Sequence, residues 1–319
     1  MSQEAREVSN LVNDMHKICD FGVTSQHWQL KDMLKIKGES LVFPKACNVM
    51  SFDPYKNATK MVYEGTDFFP TSICLKDDIL AVGGSRGHLK VKNLSTNEVL
   101  SQVVSSSINN NICINNNRIF ICNNDRTLKV FTMDLQSSGC INHIAQVNSC
   151  GISPDNKFLV IVGDSNDVFL YSIDNDNYKL VKKLKSTEDG GFSVSWNSVS
   201  SSFAVGTQDG YVCIWDIRSD RMLHKFESKQ KDSHKGAVRN VKFSLKNSLD
   251  LLFFTEHFSF LTICDMRDFR RCQRLKIFPD KQITGAVFSE MNDKIFSSSE
   301  DQIFEININS KARRMFGGI

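Results

Sequence analysis

The sequence predicts an all-β protein: a single seven-bladed β-propeller with a short N-terminal extension. Three observations carry that expectation. Residues 191–226 read as four short strands in succession, Gly191–Trp196, Ser202–Thr207, Tyr211–Asp216 and Met222–Phe226. The apolar pattern of Val212-Cys213-Ile214 then recurs with anchors at 49, 89, 128, 168, 212, 261 and 304, at intervals of 40, 39, 40, 44, 49 and 43 residues. A period of about 40–45 residues suits one four-stranded sheet per repeat, and seven anchors suit seven sheets. Finally, turn-forming residues fall between the second and third strands of the units, as in Gln208-Asp209-Gly210, where Gly accepts a positive φ without steric cost. A closed all-β architecture commonly reaches the 319 residues of this chain.

Taken in order, residues 1–27 form the extension and residues 28–316 the propeller. The extension is polar and has no apolar signal-peptide core. Leu11, Val12, Met15 and Ile18 fall at helical spacing and predict a short amphipathic helix over Ala5–Lys17, either a docking arm or a frayed end. Blades are expected at about 28–65, 67–105, 107–144, 145–186, 190–228, 235–278 and 281–316, the first resting on the poor copy Val49-x-Ser51. Second strands read as apolar runs, among them Ile79–Gly83, Arg118–Cys122, Phe158–Val162 and Leu251–Thr255. The alternating tail Lys311–Phe316 predicts a closing strand. Two closures remain open: an amino-terminal strand completing the last blade, or simple abutment of first and last blades. Either removes the unpaired edge an open sheet array would expose.

The third strand of blade five ends on Trp215-Asp216, and with Ser233-His234-Lys235-Gly236 before Ala237–Ser244 this part of the chain resembles WD40 repeats. In that family a loop His, a strand Ser or Thr and a turn Asp hydrogen-bond to the Trp of the third strand. Here Thr207, Asp209 and Trp215 occur without a matching His, so the resemblance implies a structural role for them in a degenerate repeat. The runs Leu249–His257, Cys264–Phe269, Gly163–Ser165 and Gly206–Arg218 extend the likeness over residues 145–308. They are similar to a plant and fungal WD40 subfamily that includes a fungal substrate receptor of the glucose-induced-degradation E3 ubiquitin ligase. That resemblance implies a non-catalytic subunit that captures a protein segment for ubiquitylation by a separate catalytic partner.

The residues themselves suggest where such a segment would bind. Asp125, Asp164, Asp209, Glu256, His257, Glu300 and Asp301 all fall on second-to-third-strand turns and would share one rim. Converging carboxylates there would hold a protonated peptide amine through charge-assisted hydrogen bonds, although acidic turn residues also satisfy turn backbones and stay solvated. The longest interval holds the polar loop Glu227–Gly236, whose Lys229, Lys231, His234 and Lys235 form a candidate contact loop. Phe269-Arg270-Arg271-Cys272 offers a rival reading, because phosphoinositide-binding propellers carry a Phe/Leu-Arg-Arg-Gly motif. Here Cys replaces the Gly and the pair comes early in its strand. A scaffold subunit of another cytosolic or nuclear complex is the third reading.

Composition limits the remaining classes. A hydrophobic content of 41% and a charged content of 24% are those of a globular chain, and a net charge of +3 is too small to predict binding to nucleic acid or an anionic membrane. Ten cysteines without a Cys-x-x-Cys pair predict buried free thiols in a reducing compartment, cytosol or nucleus. Walker, Gly-x-Ser-x-Gly, His-Glu-x-x-His and dinucleotide motifs are absent from the sequence, and the seven histidines have no metal-ligand spacing. No catalytic residue, metal or cofactor is expected, and the expected partners are proteins.

Overall fold

A computed structural model describes residues 6–7, 10–27, 29–228, 236–244 and 250–309. Its strands assemble into seven sheets among the described residues, each an antiparallel set of four; in the sixth, Arg6–Glu7 adds a parallel edge strand. Blade five contains Gly191–Trp196, Ser202–Thr207, Tyr211–Asp216 and Met222–Glu227, close to the strands read from sequence. Gly210 takes φ of 84° in its hairpin turn. The other blades repeat this meander from Lys35–Lys37 in blade one to Gly285–Phe288, the first strand of blade seven.

The core lies between blades rather than within one sheet, because each sheet presents an apolar face to its neighbour. Phe203, Val205 and Trp215 of blade five pack with Val160, Val162 and Leu170 of blade four, and Trp215 stacks on Phe203 at 5.4 Å between centroids. On the opposite face of blade five, Ala204, Val212 and Ile214 pack with Val241, Leu252 and Phe254 of blade six. That is why third strands read apolar on both faces. The cysteines are free thiols, and Cys264 and Cys272 oppose each other across neighbouring strands of blade six.

Closure corrects one expectation. The helix predicted over Ala5–Lys17 does not form; Val12–Cys19 is a strand pairing antiparallel with Ile303–Ile308, and it supplies the fourth strand of blade seven. Its pattern fits an outer strand, with an exposed middle, a buried Cys19 at its end and a buried Leu11 just before its start. The backbone demand of the open edge on Ile303–Ile308 outweighs a weak helical periodicity. The ring therefore takes in residues upstream of position 28. Gly22 then runs against blade seven so closely that a Cβ would lie 2.2 Å from the Ser299 carbonyl oxygen. Cys19, Val23, Phe296 and Ile303 join Leu41, Phe43 and Val49 of blade one in a shared core, so the last blade meets the first. The tail Lys311–Phe316 lies outside the described residues.

Candidate binding site at the channel mouth

The first strand of each blade lines the central channel. Its beginning lies on the same face of the ring as the second-to-third-strand turns, here called the top face. In five blades the pairing of first with second strand slips at this end: between Pro70 and Ser72, Asn109 and Asn111, Val147 and Ser149, Gly191 and Ser193, and Val238 and Asn240. Each β-bulge leaves one residue out of the ladder and re-aims its side chain. The five residues are Thr71, Asn110, Asn148, Phe192 and Arg239, all buried, and all line one cavity of about 370 Å³.

These residues join neighbouring blades. Thr71 Oγ1 donates to the Asn109 carbonyl at 2.9 Å, Asn110 Nδ2 to the Val147 carbonyl at 2.8 Å, and Asn148 Nδ2 to the Gly191 carbonyl at 3.1 Å. Arg239 lies over the Phe192 ring, 4.5 Å from its centroid. A ring of blade-to-blade contacts thus rigidifies the mouth before any ligand arrives.

The connection from blade seven to blade one completes the wall. Met33 N donates to the Thr284 carbonyl at 3.1 Å, so Gln29–Lys35 lies along the channel beside blade seven. It brings in Lys31, Asp32 and Lys35. Asp32 accepts from Lys35 and Lys242, each at 2.8 Å, and from Asn240 Nδ2 at 3.0 Å. Those lysines hold the Asp32 carboxyl below its usual range even though burial acts the other way. Lys31 is 2% exposed and donates to Ser25 Oγ at 3.0 Å.

The acidic residues predicted from sequence lie on this top face but do not converge as a set of open carboxylates. Asp125 is held by Lys129 and Thr127, and Asp301 by Lys281 and Ser299. Asp209 accepts from Thr187 Oγ1 at 2.7 Å and Thr207 Oγ1 at 2.6 Å, so Thr187 supplies the contact expected of a loop His. Glu256, 3% exposed, is clasped by Arg274 at 2.7 and 2.8 Å, and that guanidinium sits 3.4 Å from the Phe260 ring centroid. Burial raises the Glu256 carboxyl above its usual range, with Arg274 opposing.

Nearest the mouth are Asp164, which accepts from Asn148 at 2.7 Å, the exposed Glu300, and His257. Burial, and then Arg239 and Lys31, push His257 down to about 4. An ammonium arriving here would meet the engaged Asp164, the exposed Glu300 and two buried cations. The contact-loop residues Lys229, Lys231, His234 and Lys235 lie outside the described residues.

Arg270 and Arg271 sit on the opposite face, where Arg270 pairs with Asp268 at 2.9 Å and Arg271 with Asp265 at 3.5 Å. Phe269 stacks on His224 at 4.7 Å. Among the described residues no three His, Cys, Asp or Glu side chains cluster as metal ligands would.

The residues missed from sequence are Lys31, Asp32, Lys35, Arg239 and Lys242. A bulge leaves no compositional mark, and Lys31 belongs to a segment without repeat signal. The one available cue was a cation, Arg239, at the start of an otherwise apolar strand.

Comparison with known proteins agrees with this architecture. A WD40 repeat model (WD domain, G-beta repeat) matches residues 179–216, and the uncharacterised protein domain DUF2415 matches residues 236–275. The chain is 26% identical over 319 residues to an uncharacterised protein of Schizosaccharomyces pombe, covering 92% of this chain and 91% of that protein. It is 26% identical over 222 residues to a WD repeat-containing protein of Dictyostelium discoideum, covering 67% of this chain but 12% of the relative. It is 24% identical over 159 residues to a BTB/POZ domain and WD-repeat protein of Acanthamoeba polyphaga mimivirus, covering 48% of this chain and 30% of that one. With its seven sheets closed by an amino-terminal strand and a repeat match centred on blade five, the chain is a seven-bladed β-propeller of the WD40 type.

Proposed function

We propose that this propeller is a protein-recognition subunit that receives a segment of a client protein at the mouth of its channel, and that it serves a multi-subunit ubiquitin ligase as substrate receptor. The ring of five bulge residues carries the recognition reading. Thr71, Asn110, Asn148, Phe192 and Arg239 are turned out of their sheets toward a common cavity and tied to adjacent blades. Side chains fixed in this way lose little freedom when a ligand binds, which favours affinity. A WD40-type propeller is commonly an interaction platform, and the resemblance over residues 145–308 points to the ligase. In that arrangement the ubiquitin-transferring chemistry belongs to another subunit.

Affinity purification of the tagged chain with mass spectrometry tests this. The expected result is a ring-finger ligase core together with sub-stoichiometric clients. The paired change Asn110→Ala and Asn148→Ala should release clients and keep the core. One constant, tightly bound complex without ligase subunits would replace the receptor reading with a scaffold.

A further inference from the structure

Blade six departs from its neighbours at one rung of its sheet. Near the end of the third strand, blades one, three, four and five place a buried aromatic side chain, Phe52, Phe131, Tyr171 and Trp215. These stand opposite Thr59, Ser137, Leu180 and Met222 of the outer strands. At the same rung blade six sets Cys264 of Phe258–Asp265 against Cys272 of Arg271–Gln282, and Asp265 follows Cys264 as Asp216 follows Trp215. Directly opposed residues of antiparallel strands have Cα atoms about 4.5–5.5 Å apart, inside the span of about 4.4–6.8 Å that a disulfide bridges. The side chains turn toward each other as well, with the Cys272 thiol donating to the Cys264 sulfur at 2.7 Å. Both belong to the apolar cluster between blades five and six, Cys264 fully buried and Cys272 9% exposed. The turn they flank carries Phe269, which is fixed by its stack on His224 of blade five.

We propose that Cys264 and Cys272 are an oxidation site, at which a hydroperoxide converts the two thiols into a cross-strand disulfide that staples the outer strand of blade six. The inference is independent of what the channel mouth binds. Cys272 is the sulfur a small oxidant reaches. Its electron pair attacks a peroxide oxygen, the O–O bond breaks, and its proton leaves with the departing oxygen as water, giving a sulfenic acid. Cys264 then attacks the Cys272 sulfur: an S–S bond forms, the S–O bond breaks, and the departing hydroxide takes the Cys264 proton as a second water. Two thiols thus lose two electrons and two protons, and hydrogen peroxide becomes two waters. Burial first, and then the Cys272 sulfur, push the Cys264 thiol well above its ordinary value, which suits it to act second, inside the protein, rather than as the exposed first thiolate.

Peptide mapping of the full chain after hydrogen peroxide treatment, with remaining thiols alkylated before digestion, tests the proposal. Trypsin cuts after Arg267, Arg270 and Arg271, so the fragments bearing Cys264 and Cys272 separate unless a disulfide joins them. The expected result is a link between these two fragments that dithiothreitol removes. It should be absent from Cys272→Ala and undiminished in Cys140→Ser, which removes an exposed thiol. The oxidised chain should also unfold at a higher urea midpoint than the reduced chain, because the link restricts the unfolded state. The wild-type map decides the matter by itself if Cys272→Ala does not fold. Recovery of both cysteines in alkylated form, a link from either to a different cysteine, or a link that forms only in urea overturns the site. A mapped link that leaves the midpoint unchanged or lowers it overturns the staple.

Discussion

The rim and the channel of this propeller carry opposite charge and organise it on different principles. On the rim each engaged carboxylate is answered nearby: Asp125 by Lys129, Asp209 by two threonines, Glu256 by Arg274 of the same blade and Asp301 by Lys281 of the adjacent one. In the channel, cations from positions 31, 35, 239 and 242 converge from distant parts of the chain upon one carboxylate. Charge neutralised within a turn completes the fold. Charge gathered across the ring ties distant parts of the chain together at the channel.

The sharpest break of this contrast is at Glu256, the least exposed of these rim pairs, with side-chain exposures of 4% for the acid and 11% for Arg274. Glu256→Gln would strand the Arg274 guanidinium and should cost about 3–5 kcal/mol, measured from urea unfolding. A loss below about 1 kcal/mol would mean that water reaches Arg274 and that this pair is an ordinary surface contact. Asp32→Asn comes next. Its lysines are partly open to the cavity, at 16% and 30% exposure, so the expected loss is about 2–3 kcal/mol.

Lys31 should behave with the opposite sign. Replacing a buried cation that lacks a counter-charge with Met, of similar length, should stabilise the protein by about 1–2 kcal/mol at neutral pH. The pH profile separates this from simple repacking. Lys31 is depressed from an ordinary 10.5 to about 8, so between those values the unfolded chain holds a proton that the folded chain has shed. Stability contributed by this group therefore rises with pH from about 8 to 10.5 and is lost as pH falls through 8. The stabilising effect of Lys31→Met should shrink over that window. Subtracting the two proteins cancels the buried thiols Cys74 and Cys213, both pushed up to about 12 by burial first, which act in the other direction. A difference that stays flat from pH 7 to 10 would place Lys31 in water.

Blade five and blade seven show which parts of this structure were legible from residues. Blade five is contiguous: four apolar strands separated by short turns, so every pairing joins sequence neighbours, and the strand limits could be read almost to the residue. Blade seven draws its fourth strand from Val12–Cys19 and pairs it with Ile303–Ile308, a contact nearly the length of the chain away. Nothing local marks that strand, since its outer face is solvated and its apolar residues mimic a helical stripe. The site divides in the same manner. Acidic turn residues announce the rim because turns favour them, but their partners Arg274 and Lys281 lie on later strands whose register the sequence does not display. The bulge ring was hidden altogether, because a one-residue slip changes where Arg239 and Asn148 point without changing their type.

The smallest effect is expected at Asp125, and it tests the local half of the contrast most directly. Its carboxylate meets Thr127 and Lys129 within its own hairpin, at side-chain exposures of 31% for the acid and 16% for the lysine. Solvent screens such a pair, and holding the lysine in place costs rotamer freedom, so Asp125→Ala should cost between about 0 and 1 kcal/mol. Most of that loss should vanish in 1 M salt, since mobile ions already stand in for the missing partner. Because Asp125 bonds within its own hairpin, client recovery should be untouched. A loss of client recovery in Asp125→Ala would show that rim and channel are electrostatically one site, and the division between local and long-range charge would have to be redrawn.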